Sequence, residues 1–189
     1  MKKSKRVLIV TASPRKNGNS TILALKAAEG VNANGGEAVV APIGNLKIAP
    51  CNACDICRDK PEEGCVFKDD MQPLYQEIKD AQGIIFATPV YWFNVSAQMK
   101  LFIDRTYAIN DGGNYAFTGK DVGVILAFED EDVFVSGGIN ALRSFQDIFA
   151  YVKANLVGMV YGSADKAGDV QANGELLRKA YDLGRKIVN

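Results

Sequence analysis

The run Arg6-Val7-Leu8-Ile9-Val10-Thr11 leads through Ala12 into Ser13-Pro14-Arg15-Lys16-Asn17-Gly18-Asn19-Ser20-Thr21. Its first six residues are short, β-branched and apolar on both faces, the pattern of a central parallel strand covered from both sides. Ser13-Pro14 closes the strand. Asn19-Ser20-Thr21 then offers N-cap chemistry, and Ile22, Leu23, Leu25, Ala27 and Ala28 carry a helix that is expected to stop near Gly30.

The strand-then-helix unit repeats along the chain. Glu37–Pro42 reads as a second strand, and 70–80 as a helix with Leu74, Ile78 and Ala81 at helical spacing. Gly83–Thr88 is the third strand. The segment from Asn94 to Tyr107 places Val95, Met99, Phe102 and Ile103 on one helical face. Asp121–Phe128 is the fourth strand, Gly137-Gly138 opens the next helix, Met159–Gly162 is a short fifth strand and Glu175–Val188 a last helix. Alternation of this kind predicts an α/β fold with a doubly wound, five-stranded parallel sheet. At 189 residues the chain is expected to form a single domain over 1–189. The long irregular stretch, about 43–68, is the exception, and a loop of that length inside a compact domain is usually functional.

Composition narrows the function. Lys plus Arg equals Asp plus Glu at 22 each, so no global field collects nucleic acid or an anionic membrane. The basic start Met1-Lys2-Lys3-Ser4-Lys5-Arg6 precedes only four apolar residues, too few for a signal peptide or a membrane span, and a cytoplasmic protein is expected. Histidine is absent, which removes His-containing metal sites and Ser-His-Asp or Cys-His catalysis.

In open α/β sheets, ligands sit beyond the carboxyl ends of the strands. The loop Ser13 to Thr21 occupies such an end. It carries hydroxyl and amide donors, two cations and a glycine, with a helix N-terminus behind them, which suits a phosphate. It is neither G-x-x-x-x-G-K-[ST] nor G-x-G-x-x-G, so ATP or a Rossmann-bound NAD is not expected. A phosphatase loop on a similar sheet would need C-x5-R after strand one, and Ser13 stands where that cysteine belongs.

Four stretches in order, Ser13-Pro14-Arg15-Lys16 with Gly18-Asn19-Ser20-Thr21, Asp69-Asp70-Met71, Thr88-Pro89-Val90-Tyr91-Trp92, and Lys100-Leu101-Phe102-Ile103-Asp104-Arg105, resemble the NADPH-dependent FMN reductase family, and the cysteines resemble those of its iron-sulfur flavoproteins. The resemblance covers nearly the whole chain. It implies a flavodoxin-like sheet of order 2-1-3-4-5, FMN at the strand ends and a homodimer or homotetramer. It further implies that Ser13, Arg15, Asn19, Ser20 and Thr21 hold the FMN phosphate, and that Pro89, Val90, Tyr91, Trp92 and Asn94 border the ribityl chain and ring. Gly137 and Gly138 resemble a third flavin-side loop, while Glu129-Asp130-Glu131-Asp132 departs from the family pattern and reads as a solvated acidic loop. The Asp104-Arg105 pair reads as structural, with a cation favoured near a helix C-terminus.

All four cysteines of the chain fall in one window, Cys51, Cys54, Cys57 and Cys65, as C-x2-C-x2-C-x7-C. Three close cysteines and a more distant fourth are ferredoxin-type spacing for a [4Fe–4S] cluster. A four-thiolate zinc site, a redox disulfide, and plain buried thiols remain alternatives. A cluster is expected at one rim of the FMN pocket. The function that follows is an FMN-dependent oxidoreductase, with NAD(P)H or a protein donor such as ferredoxin supplying electrons to a small-molecule or protein acceptor. Two alternatives stay open: a cluster-free NAD(P)H:FMN or quinone reductase, and a non-catalytic flavodoxin-like electron carrier or redox sensor. No side chain stands out as a catalytic acid or base, and hydride transfer to a flavin needs none.

Overall fold

The computed structural model describes residues 4–111 and 114–189. Five parallel strands, β1 (Arg6–Thr11), β2 (Glu37–Pro42), β3 (Gly83–Tyr91), and, after the short β4 (Asn94–Val95), β5 (Asn110–Asp111) and β6 (Asn114–Tyr115), β7 (Asp121–Phe128) and β8 (Asn155–Ser163), build the main sheet. Its order is β2-β1-β3-β7-β8, the expected 2-1-3-4-5 once the short strands are set aside. β4 folds back antiparallel on the end of β3, and β5 with β6 forms a small separate hairpin. Neither short pairing carries enough alternating residues to be read from sequence.

Helices cover both faces, because every central strand is apolar on both sides. α1 (Asn19–Ala33) and the last helix, α6 (Gly174–Lys186), pack on one face over Val7, Ile9, Ile85 and Ile125. On the other face α3 (Gln72–Asp80), α4 (Ala97–Arg105) and α5 (Gly138–Tyr151) cover Leu8, Val10, Phe86 and Val124. The single-turn α2 (Ile56–Asp59) lies inside the cysteine loop. Phe86 is the centre of the second core: the rings of Phe117, Phe145 and Phe149 surround it at centroid distances of 5.2, 5.5 and 5.4 Å. These are favourable offset or edge contacts.

Several boundaries move, β3 running on to Tyr91 and the fifth main strand spanning Asn155–Ser163, and at two helices the physical reason is plain. Helix α1 does not stop near Gly30 but runs to Ala33. Gly30 is there for packing: a methyl at that position would overlap the backbone of Tyr181 on α6, and one at Gly184 would overlap the backbone of Ala27. The two helices cross backbone to backbone. Helix α4 begins at Ala97, later than Asn94, because Ser96 caps it by accepting from Met99 N at 3.3 Å. Ser96 is fully buried. It also meets the Thr88 hydroxyl at 3.2 Å and donates to Ala12 O at 3.5 Å, tying the ends of β1 and β3 to the start of α4.

Candidate functional site

Loops after β1, β3, β7 and β8 meet at the carboxyl ends of their strands and enclose a cavity of about 720 Å³. That volume falls in the ordinary range for a small-molecule or cofactor site. Of the ten residues expected around a flavin, Ser13, Arg15, Asn19, Ser20, Pro89, Val90, Tyr91 and Trp92 line it; Thr21 and Asn94 do not. Thr21 lies in the first turn of α1, and the Asn94 side chain accepts from Val95 N at 2.8 Å.

The β1 loop is shaped around its glycine. Asn17 takes a left-handed φ of 57°, Gly18 N donates to Arg15 O at 3.1 Å, and a methyl on Gly18 would overlap the Ser13 hydroxyl. This close turn delivers the N-terminus of α1 to the cavity with no side chain capping it. The first backbone N–H groups of a helix have no partner within it, so donors and the positive helix end face the cavity together. Ser20 adds a sharper signal: its hydroxyl is 1% exposed, lines the cavity and has no hydrogen-bond partner. A buried unpaired hydroxyl is costly, about 1–3 kcal/mol, unless a ligand completes it. An anion at this helix end would do so, and the donor set therefore fits an FMN phosphate.

The side chain of Asn19 is committed within the protein. Its amide nitrogen donates to Ala164 O at 3.0 Å and Lys166 O at 2.9 Å, and its oxygen accepts from Gly168 N at 3.0 Å and Val170 N at 3.3 Å. The whole side chain is spent holding the loop after β8 against α1. That loop contributes Ala164, Asp165 and Ala167 to the cavity, and Asp165 O accepts from Arg15 at 3.4 Å.

On the same cavity, β3 and β4 form a hairpin whose two turn residues are Trp92 and Phe93, at φ 45° and 63°. Such a turn is normally Asn-Gly, and two large residues there carry local strain. Phe93 packs against Gly137, and its carbonyl accepts from Asn140 at 3.2 Å. Both aromatics line the cavity. From the third loop it is Ala127 to Asp130 and Ser136, not Gly137 or Gly138, that reach it. Phe93, Glu129, Asp130, Ser136 and Asp165 were not singled out as site residues; the signal available for them was only their position after a strand end.

The four cysteines line a second, smaller cavity with Phe67, Arg105 and Tyr107. None is in a disulfide. Burial pushes the Cys57 thiol up, and neighbouring Cys65 and Cys54 push it the same way against Arg58. A thiol held that way is a poor nucleophile and becomes a ligand only where a metal displaces its proton. Among the described residues, no three Cys, Asp or Glu converge tightly enough to hold a single metal ion.

The neck of this loop is braced by Arg105, whose role is larger than that of a cation at a helix end. Its guanidinium is 1% exposed, grips both Asp69 oxygens at 2.6 and 3.1 Å, and donates to Ala49 O at 2.8 Å and Tyr75 Oη at 3.4 Å. Asp69 accepts from Ala49 N at 2.9 Å and Met71 N at 3.1 Å, so one ion pair fastens both ends of the loop. The cysteine cavity and the large one share no lining residue, and Asp104 and Arg105, at the end of α4, line the small one.

Residues 5–169 match the family described as NADPH-dependent FMN reductase. An iron-sulfur flavoprotein of Methanocaldococcus jannaschii is 34% identical over 190 aligned residues, covering 96% of this chain and 95% of that protein. Another, of Methanosarcina thermophila, is 38% identical over 118 residues, covering 62% of this chain and 60% of that protein. The backbone is similar to that of an NAD(P)H:quinone oxidoreductase from Methanothermobacter marburgensis, with a TM-score of 0.73 over 98% of both chains at 18% identity. The last likeness is one of fold. Among the described residues no helix is long and apolar enough to cross a membrane.

Proposed function

Since this chain belongs to the NADPH-dependent FMN reductase family and is an FMN-dependent oxidoreductase, we propose that it pairs FMN in the large cavity with a [4Fe–4S] cluster on Cys51, Cys54, Cys57 and Cys65. The observation that carries the second half is that every cysteine in the chain lines one cavity. The names of the two relatives above support it. Bound FMN supplies hydride acceptance from NAD(P)H, and a cluster supplies single-electron transfer.

The chain's own residues do the positioning. The backbone N–H groups of Asn19 and Ser20, the Ser20 and Ser13 hydroxyls and the charge of Arg15 hold the phosphate, while Asn19's side chain keeps the β8 loop in place. Backbone groups of Val90 and Tyr91 meet the polar edge of the ring, and the Trp92-Phe93 hairpin walls its outer side. Arg105 and Asp69 keep the cysteine loop closed, and Phe67 and Val66 give it an apolar wall. The natural setting of this reading is the cytoplasm, with NAD(P)H or a protein such as ferredoxin as donor and a homodimer or homotetramer as the assembly.

Protein prepared without oxygen provides the test, by iron and flavin content and by rapid mixing with NADPH and NADH. The expected result is one FMN and about four irons per chain, with flavin bleaching on mixing. Iron-free protein that is still fully reduced by nicotinamide would make it a cluster-free reductase. Flavin that neither nicotinamide reduces would make it an electron carrier.

A further inference from the structure

Two arginines stand at the cysteine loop, and their charges are held differently. Arg105 lines the cysteine cavity, but its guanidinium is matched by the two Asp69 oxygens that it grips. Arg58 follows Cys57 on the single turn α2 and forms no ion pair among the described residues. Rings hold it instead. Its Cζ lies 3.9 Å from the centre of the Tyr107 ring and 5.6 Å from that of Tyr115, both within the range of a cation–π contact. The side chain is half-buried, and its Nε has no hydrogen-bond partner.

The rings are fixed in turn. Tyr107 belongs to the short 3-10 turn Thr106–Ala108 that follows α4; it lines the cysteine cavity, and its hydroxyl donates to the Asp55 carboxylate at 3.4 Å. Asp55 O accepts from Arg58 N at 2.7 Å and Asp59 N at 3.0 Å, which closes α2. Tyr115 packs on Tyr151 with ring centres 5.5 Å apart and hydroxyls 3.1 Å apart. The guanidinium is therefore clamped against one wall of the thiol cavity. All of these contacts lie within one chain, so they do not depend on what covers the loop in an assembly.

We infer that Arg58, stacked on Tyr107 and Tyr115, is a positioned charge that raises the reduction potential of the cluster held by Cys51, Cys54, Cys57 and Cys65. The inference rests on the cluster reading above and adds the residue that tunes it. A cluster on four thiolates is net negative, and one electron from the flavin makes it more so, with no bond made or broken. A fixed cation nearby stabilises the reduced form more than the oxidised one, which is how net charge moves the potential of such centres. The acids of the same turn, Asp55 and Asp59, are exposed, where water and salt screen them, whereas the guanidinium is partly out of water.

Protein prepared and kept without oxygen is titrated with dithionite in the presence of redox mediators, and the reduced cluster is followed by its electron paramagnetic resonance signal. Iron content is read on every sample. Arg58→Met should lower the ratio of reduced to oxidised cluster at a fixed poise about tenfold, or about 59 mV for one electron. Arg58→Lys keeps the charge and should restore most of that ratio. Tyr107→Leu leaves the charge but frees it to water, so its potential should fall less, and should vary more than that of wild type between about 50 and 500 mM salt. A change under about twofold in Arg58→Met, an equal change in Arg58→Lys, or a Tyr107→Leu potential identical to wild type at both salts would overturn the inference. So would loss of iron from either arginine variant, for Arg58 would then be a structural pin. Wild type that holds no iron would sink the cluster reading and this inference with it, whereas loaded wild type with unmoved variants sinks this inference alone.

Discussion

Replacing Arg105 by Met tests the brace beneath the cysteine loop. The guanidinium is 1% exposed and the Asp69 side chain 16%, so Met keeps much of the volume but leaves a largely buried carboxylate without its cation. Breaking a buried pair from one side costs about 3–5 kcal/mol, which for a chain of this size lowers Tm by about 6–20 °C. The loss is read by thermal and denaturant unfolding of both proteins in one buffer. In the double variant Arg105→Met, Asp69→Asn the orphaned charge is gone, and the loss should shrink, though not vanish, because Asp69 also serves Ala49 N and Met71 N. Acid adds a second readout. Burial alone would push the Asp69 carboxyl up, but the Arg105 hydrogen bonds, the two backbone donors and the Arg105 charge outweigh it and hold the carboxyl below its ordinary range. A carboxyl lowered in the folded state stabilises fully above its unfolded value, about 3.9, and that contribution disappears as pH falls through the folded value. Wild type should therefore lose this increment below about pH 4, and Arg105→Met should show a shallower acid limb. A Tm drop under about 2 °C with an unchanged acid limb would refute the reasoning.

Ser20→Ala should weaken FMN binding to the apoprotein roughly ten- to a hundredfold, since a hydrogen bond to a charged group contributes about 1.5–3 kcal/mol, while the empty fold loses nothing; flavin fluorescence titration reads the first and Tm the second. Gly18→Ala pushes a methyl into the Ser13 hydroxyl and should cost about 1–3 kcal/mol of stability together with FMN affinity, so an unaltered Kd would show that this turn is not the phosphate cradle. Trp92→Asn with Phe93→Gly matches the demands of the hairpin turn and should raise stability by about 1–2 kcal/mol, yet weaken flavin retention during gel filtration; retention equal to wild type would remove the hairpin from the site.

The main strands and the loop after β1 were legible because burial on both faces of a parallel strand writes itself as uninterrupted apolar residues, as in Val7 to Val10, and because Pro14 and Gly18 among polar residues mark a turn between strand and helix; the cap itself is Gly18, with no side chain closing it. The roles of single side chains were less legible. Asn19 looks like a ligand donor in one dimension, and only the return of the β8 loop to within 3.0 Å shows where its amide is spent. Gly30 looks like a helix stop until α6 is laid across it.

By itself, then, the sequence determined the α/β class, the strand order through its resemblance, the loop at the end of β1 and the grouping of four thiols, since each is written in local period or spacing. Only the tertiary structure decided that Ser20 is the buried hydroxyl left without a partner, that Arg105 closes the cysteine loop through Asp69, and that the four thiols line one cavity with Arg105. The physical reason is the same in each case. Hydrogen-bond satisfaction and burial are set by residues distant in the chain, 36 positions apart for Asp69 and Arg105, and no local pattern records which donor the fold will leave unpaired.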